Sequence, residues 1–291
     1  MNLKDSVIEL IRRASTDLSI DVENSLQNAL NSEKSDTPAK SVLSTILENV
    51  AIARKNSTPI CQDTGYLIFY VELPESNTSP KHTDIKNAIL EATREATKKQ
   101  FLRPNAVDPI TGKNTGDNVG INAPYIHFSQ SEKNEIKISL MLKGGGSENV
   151  GTQYKLPESS LAAGRDLKGV KKVIIDAVLK AQGQGCAPGI IGVGIGGDRF
   201  TSYVLSKEQF FRKLGSRSNI KEIADLEVEL YNNLNTLGIG PMGLGGKTTV
   251  LDVFIGLQHR HPATFYVAIS YMCWAFRRKM MMLRNGEVAY D

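Results

Sequence analysis

The sequence predicts an α+β fold, with a helix-rich N-terminal part and a mixed, largely antiparallel sheet region that carries glycine-rich loops. Apolar residues recur at helical spacing through much of the N-terminal third. Short runs of β-branched and aromatic residues follow in the middle and near the C-terminus. Glycines cluster at residues 144–146, 183–197 and 238–246, which indicates either loops that approach a ligand closely or flexible surface turns.

Four helices are predicted from their apolar stripes. One begins at Pro38 with Thr37 as its N-cap, because proline suits the first helical position and threonine the position before it. The stripes of three further helices cover residues 85–96, 170–178 and 223–234. For the last of these, Asn219 is the expected N-cap, and Glu222 three places on resembles a capping box.

The predicted strands lie at residues 66–73, 125–128, 136–142, 249–255 and 265–269. The sequence shows no internal repeat, low-complexity tract or clear linker. We therefore expect a single domain over residues 1–291, and leave open its division into two lobes.

Composition excludes several classes of protein. The chain has 291 residues, 41% of them hydrophobic, which is enough for a substantial core. The 35 Lys and Arg nearly balance 31 Asp and Glu, and no dense basic run occurs, so a nucleic-acid partner is not expected. No apolar run is long enough for a membrane span or a secretory signal. Three cysteines do not suggest a disulfide framework, and we expect a reducing cytoplasmic location.

The cysteines are the first candidates for chemistry. Cys61 lies in a polar turn before a predicted strand, Cys186 in a glycine-rich loop after a predicted helix, and Cys273 after a predicted strand. Inert burial is the alternative, and it applies best to Cys273. Their spacing matches neither zinc fingers nor ferredoxins. Three ligands on a four-iron cluster would leave one iron open as a Lewis acid, although spacing alone does not establish this.

Five segments of the chain, taken in order, resemble class I fumarases and the related tartrate dehydratases. They are Cys-Gln-Asp-Thr-Gly at 61–65, Lys-Gly-Gly-Gly-Ser-Glu-Asn at 143–149, residues 233–240 around Leu-Asn-Thr-Leu-Gly-Ile-Gly, His-Arg-His-Pro-Ala-Thr at 259–264, and Met-Cys-Trp-Ala at 272–275. The resemblance runs from about residue 40 to residue 278, and all three cysteines fall where the family places its cluster ligands.

This resemblance implies a hydro-lyase of the tricarboxylic acid cycle that reversibly hydrates fumarate to malate. Cys61, Cys186 and Cys273 would hold a [4Fe-4S] cluster whose open iron binds the dicarboxylate substrate. L-tartrate and methylated dicarboxylates remain alternative substrates. A cluster-binding scaffold without activity and a nucleotide-binding module remain alternatives of another class.

The resemblance also implies which residues contact the substrate. Gln62 and Asp63 match family residues at the substrate, with Asp63 as a proton-transfer group; an Asx turn is the alternative for Asp63. Arg103 would fork onto a substrate carboxylate, although by itself it suggests a solvated surface charge. Gly145 would present its backbone N–H to the anion. His261 would hydrogen-bond the substrate or orient a partner group, although a lone histidine before proline is more often structural.

Two glycine patterns resemble nucleotide-binding loops. Residues 192–197 satisfy G-x-G-x-x-G, but no clear β-α-β unit is evident around them. Residues 245–248 resemble the end of a P-loop, but Pro241 stands where that pattern requires glycine. We interpret both as ordinary loops.

Family enzymes also need a second, smaller domain. This chain ends at Asp291, soon after Cys273, so we expect a separate β subunit that completes a heterodimer or heterotetramer.

Overall fold

A computed structural model describes residues 2–75 and 80–291. It confirms the α+β prediction. The helices are α1 (Leu3–Thr16), α2 (Ile20–Ser32), α3 (Pro38–Asn56), α4 (His82–Lys98), α5 (Gly145–Asn149), α6 (Leu167–Ala181), α7 (Arg199–Glu208) and α8 (Lys221–Asn235). The strands are β1 (Tyr66–Pro74), β2 (Tyr125–Ser131), β3 (Ile136–Lys143), β4 (Thr152–Lys155), β5 (Gly189–Ile195), β6 (Val250–Leu257), β7 (Tyr266–Met272), β8 (Arg278–Arg284) and β9 (Glu287–Tyr290).

The chain divides into two compact units. Unit 1 contains Met1–Ser19, Glu48–Gly145 and Arg277–Asp291, and unit 2 contains Ile20–Leu47 and Gly146–Phe276. The single-domain expectation stays a prediction.

Unit 1 is built on a five-stranded sheet with the order β2-β1-β3-β8-β9. β1 and β2 are parallel, and the other neighbours are antiparallel. The successive strands β2 and β3 do not pair with each other, because β1 lies between them. Apolar residues of α1 and α4, including Leu10 and Ile89, join Phe69 and Leu140 of the sheet in one core cluster.

Unit 2 contains a four-stranded sheet with the order β4-β7-β5-β6, in which only β5 and β6 are parallel. Ile191, Val193 and Ile195 of β5 join apolar residues of α6 and α8 in a second core cluster. Because side chains alternate along a strand, Gly192 and Gly194 lie on the opposite face. That face receives α7: a Cβ built on Gly192 would lie 2.2 Å from the Ser206 carbonyl oxygen, and one on Gly194 would lie 2.0 Å from that of Ser202.

This packing explains the G-x-G-x-x-G pattern. The interpretation of residues 192–197 as an ordinary loop is wrong for residues 192–195, because Gly192 and Gly194 lie inside β5, whereas a dinucleotide-binding loop follows its strand. The expectation that no β-α-β unit surrounds the pattern is wrong, because β5 and β6 are parallel and α7 and α8 lie between them in the chain. The two glycines nevertheless allow close packing of a helix on a strand, and this accounts for them without a nucleotide.

The P-loop-like segment holds a carboxylate of the protein itself. The backbone N–H groups of Lys247 and Thr248 donate to Glu33 Oε1 at 2.7 and 3.1 Å. A phosphate would meet the negative charge of Glu33 there. The segment continues into strand β6 rather than into a helix. Both facts favour the interpretation as an ordinary loop.

The predicted helix caps have different outcomes. Thr37 caps α3 as expected, because its Oγ1 accepts from the Lys40 N–H at 3.3 Å. The Asn219 prediction is wrong: the N-cap of α8 is Ile220, whose side chain makes no cap hydrogen bond. The turn before α8 is held by Ser218 instead, whose hydroxyl accepts from the Ile220 N–H at 3.2 Å. Within the described residues, no helix combines the length and apolar character needed to cross a membrane.

We predict that Gly194→Ala lowers the free energy of unfolding by about 2 kcal/mol or more, because the added methyl group collides with backbone of α7. Gly120→Ala is the matched control, since its methyl group would meet only Thr115 Cγ2 at 3.4 Å. Chemical denaturation of both variants measures the effect. Equal stability of the two variants would contradict the packing argument.

Candidate functional site

In unit 1, the Cys61 segment is anchored just before β1. The Ile60 N–H donates to the Ser15 carbonyl oxygen at 2.9 Å, and Asn49 Nδ2 donates to the Ile60 carbonyl oxygen at 2.8 Å. Cys61 follows directly and is partly exposed. The hydrogen bonds therefore fix the backbone next to a thiol that solvent can reach.

The exposed carboxylate of Asp63 accepts two backbone hydrogen bonds. Its Oδ1 accepts from the Gly65 N–H at 2.9 Å, which forms the Asx turn weighed as an alternative. Its Oδ2 accepts from the Gly145 N–H at 2.7 Å. The Gly145 N–H that the resemblance assigns to a substrate anion therefore binds Asp63 in the structure. The Asp63 main chain is held as well, since Arg277 Nη1 donates to its carbonyl oxygen at 2.5 Å.

Thr64 connects this turn to the loop of Arg103. The buried Thr64 hydroxyl accepts from the Arg103 N–H at 3.0 Å and from Asn105 Nδ2 at 2.9 Å. The exposed Arg103 guanidinium in turn donates from Nη1 to the Gln62 carbonyl oxygen at 3.4 Å. Unit 1 thus brings together Gln62, Asp63, Arg103 and Gly145 next to Cys61.

In unit 2, the segments of Cys186 and Cys273 are joined directly. Cys186 lies in the loop after α6 with φ of 57°, a left-handed conformation that is uncommon for residues other than glycine. Its carbonyl oxygen accepts from the Trp274 N–H at 3.2 Å. Cys273 is buried, and its Sγ donates to the Ala275 carbonyl oxygen at 3.7 Å. Two of the three predicted cluster ligands therefore belong to one locally connected site.

The aromatic ring of Tyr271 packs against the Cys186 loop. A Cβ built on Gly185 would lie 2.5 Å from Tyr271 Cε1, and one on Gly189 would lie 2.4 Å from the hydroxyl oxygen. Burial raises the pKa of Tyr271, and the neighbouring thiols of Cys273 and Cys186 raise it further. Tyr271 is a residue that sequence reasoning missed. The only signal available was the pair of glycines that flank Cys186.

His261 lies in a surface cavity of about 650 Å³ in unit 2. Its Nδ1 accepts from the Ala263 N–H at 3.1 Å, so in the neutral ring the proton is on Nε2. Arg199 and His259 also line the cavity. The charge of Asp198, a further lining residue, is partly compensated because its carboxylate accepts the Phe200 and Thr201 N–H groups at 2.7 and 2.8 Å. The guanidinium of Arg199 and the two imidazoles give the cavity groups that suit an anionic ligand. Arg199 is a second residue that sequence reasoning missed.

The donor chemistry suits an iron–sulfur group. All three cysteines are present as thiols, which are the usual protein ligands of such clusters. In the part of the chain that the structure describes, no three His, Cys, Asp or Glu side chains form a group ready to hold a metal ion. Unit 2 accounts for two of the thiols and unit 1 for the third.

Residues 4–282 match the family described as "Fumarate hydratase (Fumerase)". The chain is 47% identical over 279 residues to a putative fumarate hydratase class I of Geobacillus stearothermophilus; this match covers 95% of the chain and 54% of the relative. The chain therefore spans about half the length of that relative.

Other relatives match the chain over nearly their whole length. A putative L(+)-tartrate dehydratase subunit alpha of Methanocaldococcus jannaschii is 39% identical over 286 residues, covering 98% of both chains. The L(+)-tartrate dehydratase subunit alpha of Escherichia coli K12 is 33% identical over 290 residues, covering 99% of this chain and 93% of the relative.

We predict that Asp63→Ala speeds amide hydrogen exchange at Gly145 and lowers the free energy of unfolding by about 1–3 kcal/mol, because both backbone N–H groups lose their acceptor. Asp108→Ala is the matched control, because Asp108 Oδ1 accepts the Ile110 and Thr111 N–H groups in an exposed turn elsewhere in unit 1. Exchange at Gly145 should stay at the wild-type rate in the control. An unchanged rate in Asp63→Ala would contradict the hydrogen bond to Gly145.

Proposed function

The chain belongs to the fumarate hydratase (Fumerase) family, and from this premise we propose that it is the alpha subunit of an iron–sulfur hydro-lyase that reversibly hydrates fumarate to malate. The structural observation that carries the proposal is the backbone hydrogen bond from the Trp274 N–H to the Cys186 carbonyl oxygen, which joins the segments that carry Cys186 and Cys273. Relatives named as a fumarate hydratase and as dehydratase alpha subunits support the same reaction class.

In this proposal, Cys61, Cys186 and Cys273 hold a [4Fe-4S] cluster. When bound, the cluster supplies a Lewis acid at the iron that has no cysteine ligand. The support from this chain is its ligand set: it has three cysteines, and three thiolates leave one iron of four without a protein ligand.

The remaining site residues bind and orient the dicarboxylate. Arg103 presents an exposed guanidinium, whose planar donors fit a carboxylate in two hydrogen bonds. Gln62 lies beside it, and His261 donates from Nε2–H. Asp63 is the proton-transfer group. Its carboxylate must turn away from Gly145 before the Gly145 N–H can bind a substrate carboxylate, because the two are hydrogen-bonded in the structure.

L-tartrate dehydration is the second candidate function. One observation favours it: the two L(+)-tartrate dehydratase alpha subunits described above match this chain over 98% and 93% of their own length. Fumarate is favoured by sequence identity, because the chain is 47% identical to the class I fumarate hydratase and 39% and 33% identical to the two tartrate dehydratase subunits.

A separate β subunit is part of the proposal, in a heterodimer or heterotetramer. The names of the relatives that match over nearly their full length support it, since each is called subunit alpha. We place the enzyme in the cytoplasm, where thiols such as these stay reduced.

We predict that the chain is brown after anaerobic purification and loses its colour in air, and that Cys186→Ser abolishes both the colour and the activity that the chain has when it is co-expressed with its β subunit. Serine replaces the thiolate ligand without a large change in volume. Cys61→Ser and Cys273→Ser should behave alike, and Ser159→Ala is a control outside the site. Visible absorption and iron content measure the effect. A colourless but active Cys186→Ser enzyme would refute the cluster mechanism.

We predict that the purified chain binds the cluster but has little or no hydratase activity until a β subunit is co-expressed anaerobically. Assays of the two preparations on malate and on L-tartrate measure this effect and separate the candidate substrates. Full activity in the highly purified chain would contradict the need for a second subunit. Activity on tartrate alone would decide for the second candidate.

A further inference from the structure

The Tyr271 side chain carries a buried polar group that the fold leaves unexplained. The residue is 2% exposed, and its hydroxyl oxygen has no hydrogen-bond partner among residues 2–75 and 80–291. Burying a hydroxyl without a partner is unfavourable, and such groups in native proteins usually have a specific role. Phenylalanine would fill the same space without this cost.

The position of Tyr271 relates the hydroxyl to the two cysteines of unit 2. Tyr271 lies in β7, and Cys273 is the first residue after the end of that strand, two positions further along the chain. The ring lies against Gly185 and Gly189, which flank Cys186.

We propose that Tyr271 is a positioning residue of the cluster site, whose hydroxyl donates a hydrogen bond to a sulfur atom of the bound cluster or of its ligands Cys186 and Cys273. This inference rests on the proposed function, because it requires the cluster. Thiolate and sulfide sulfurs carry negative charge and accept hydrogen bonds. A donor to them stabilises the reduced cluster and raises its reduction potential.

The test is Tyr271→Phe in the anaerobically purified, cluster-loaded protein. The variant keeps the ring that packs on Gly185 and Gly189 and removes only the hydroxyl. We expect a more negative reduction potential in an EPR-monitored titration and a loss of the cluster in air that is about tenfold faster. The Fe–S stretching bands of the wild-type protein should shift in deuterated solvent, and part of this shift should disappear in the variant.

Tyr154→Phe is the matched control in the same unit. It removes a hydroxyl that donates to Asp176 of α6 at 2.6 Å and therefore has a partner outside both cysteine segments. The control should unfold more easily than the wild-type protein while the potential and the air stability of its cluster stay unchanged. Cluster-free Tyr271→Phe should be at least as stable as the cluster-free wild-type chain, because it buries no unpartnered hydroxyl.

A second measurement of the reduction potential keeps the hydroxyl of residue 271 and changes only its strength as a hydrogen-bond donor. Fluorotyrosine incorporated at position 271 alone makes the phenol a stronger donor, so the potential should become more positive. Wild-type potential, air stability and vibrational bands in cluster-loaded Tyr271→Phe would overturn the inference and leave the proposed function intact. A wild-type protein that binds no cluster would overturn both.

Discussion

The close approach of helix α7 to strand β5 is the constraint on which the architecture of unit 2 depends. β5 is a central strand, so both of its faces must be covered. The face with Ile191 and Val193 packs on α6 and α8 through ordinary apolar contacts. The face with Gly192 and Gly194 meets the backbone of α7 where no Cβ would fit. The absence of two side chains thus lets a short helix lie directly on the sheet, and the loop between β5 and α7 forms one wall of the His261 cavity.

Buried carboxylates hold the irregular segments of unit 2 in place. Glu227 is fully buried and binds Arg212 as well as the N–H groups of Ser218 and Ile255. Asp252 binds Arg217 and the Gly215 N–H, and burial raises the pKa of this carboxyl despite these partners. Glu33 likewise accepts hydrogen bonds from the backbone N–H groups of Lys247 and Thr248. Charge-assisted hydrogen bonds to backbone are stronger than neutral ones, so these acids order loops that contain little regular structure.

The sequence predicted those elements whose information is local. The apolar stripe and the Thr37 cap specified α3, because helical periodicity and capping depend on neighbours a few residues apart. The Asn219 prediction failed because the Ser218 hydroxyl accepts from the Ile220 N–H in the turn before α8. The Ser218 N–H in turn donates to Glu227, a contact that the pattern around Asn219 does not indicate. The candidate site likewise contains residues that local motifs predicted and contacts that they did not. The three cysteines and Asp63 were visible as motifs, whereas the hydrogen bond from Gly145 to Asp63 joins residues far apart in the chain and required coordinates.

The contact of Tyr271 with the two glycines around Cys186 has an evolutionary consequence. As long as an aromatic ring occupies position 271, neither Gly185 nor Gly189 can acquire a side chain without displacing it. A smaller residue at 271 would open space that either position could then fill. The three positions are therefore coupled, and descendants of this sequence should change them in concert or keep all three. Covariation among these three positions, rather than the identity of any single residue, would therefore indicate that the conformation of the Cys186 loop is maintained.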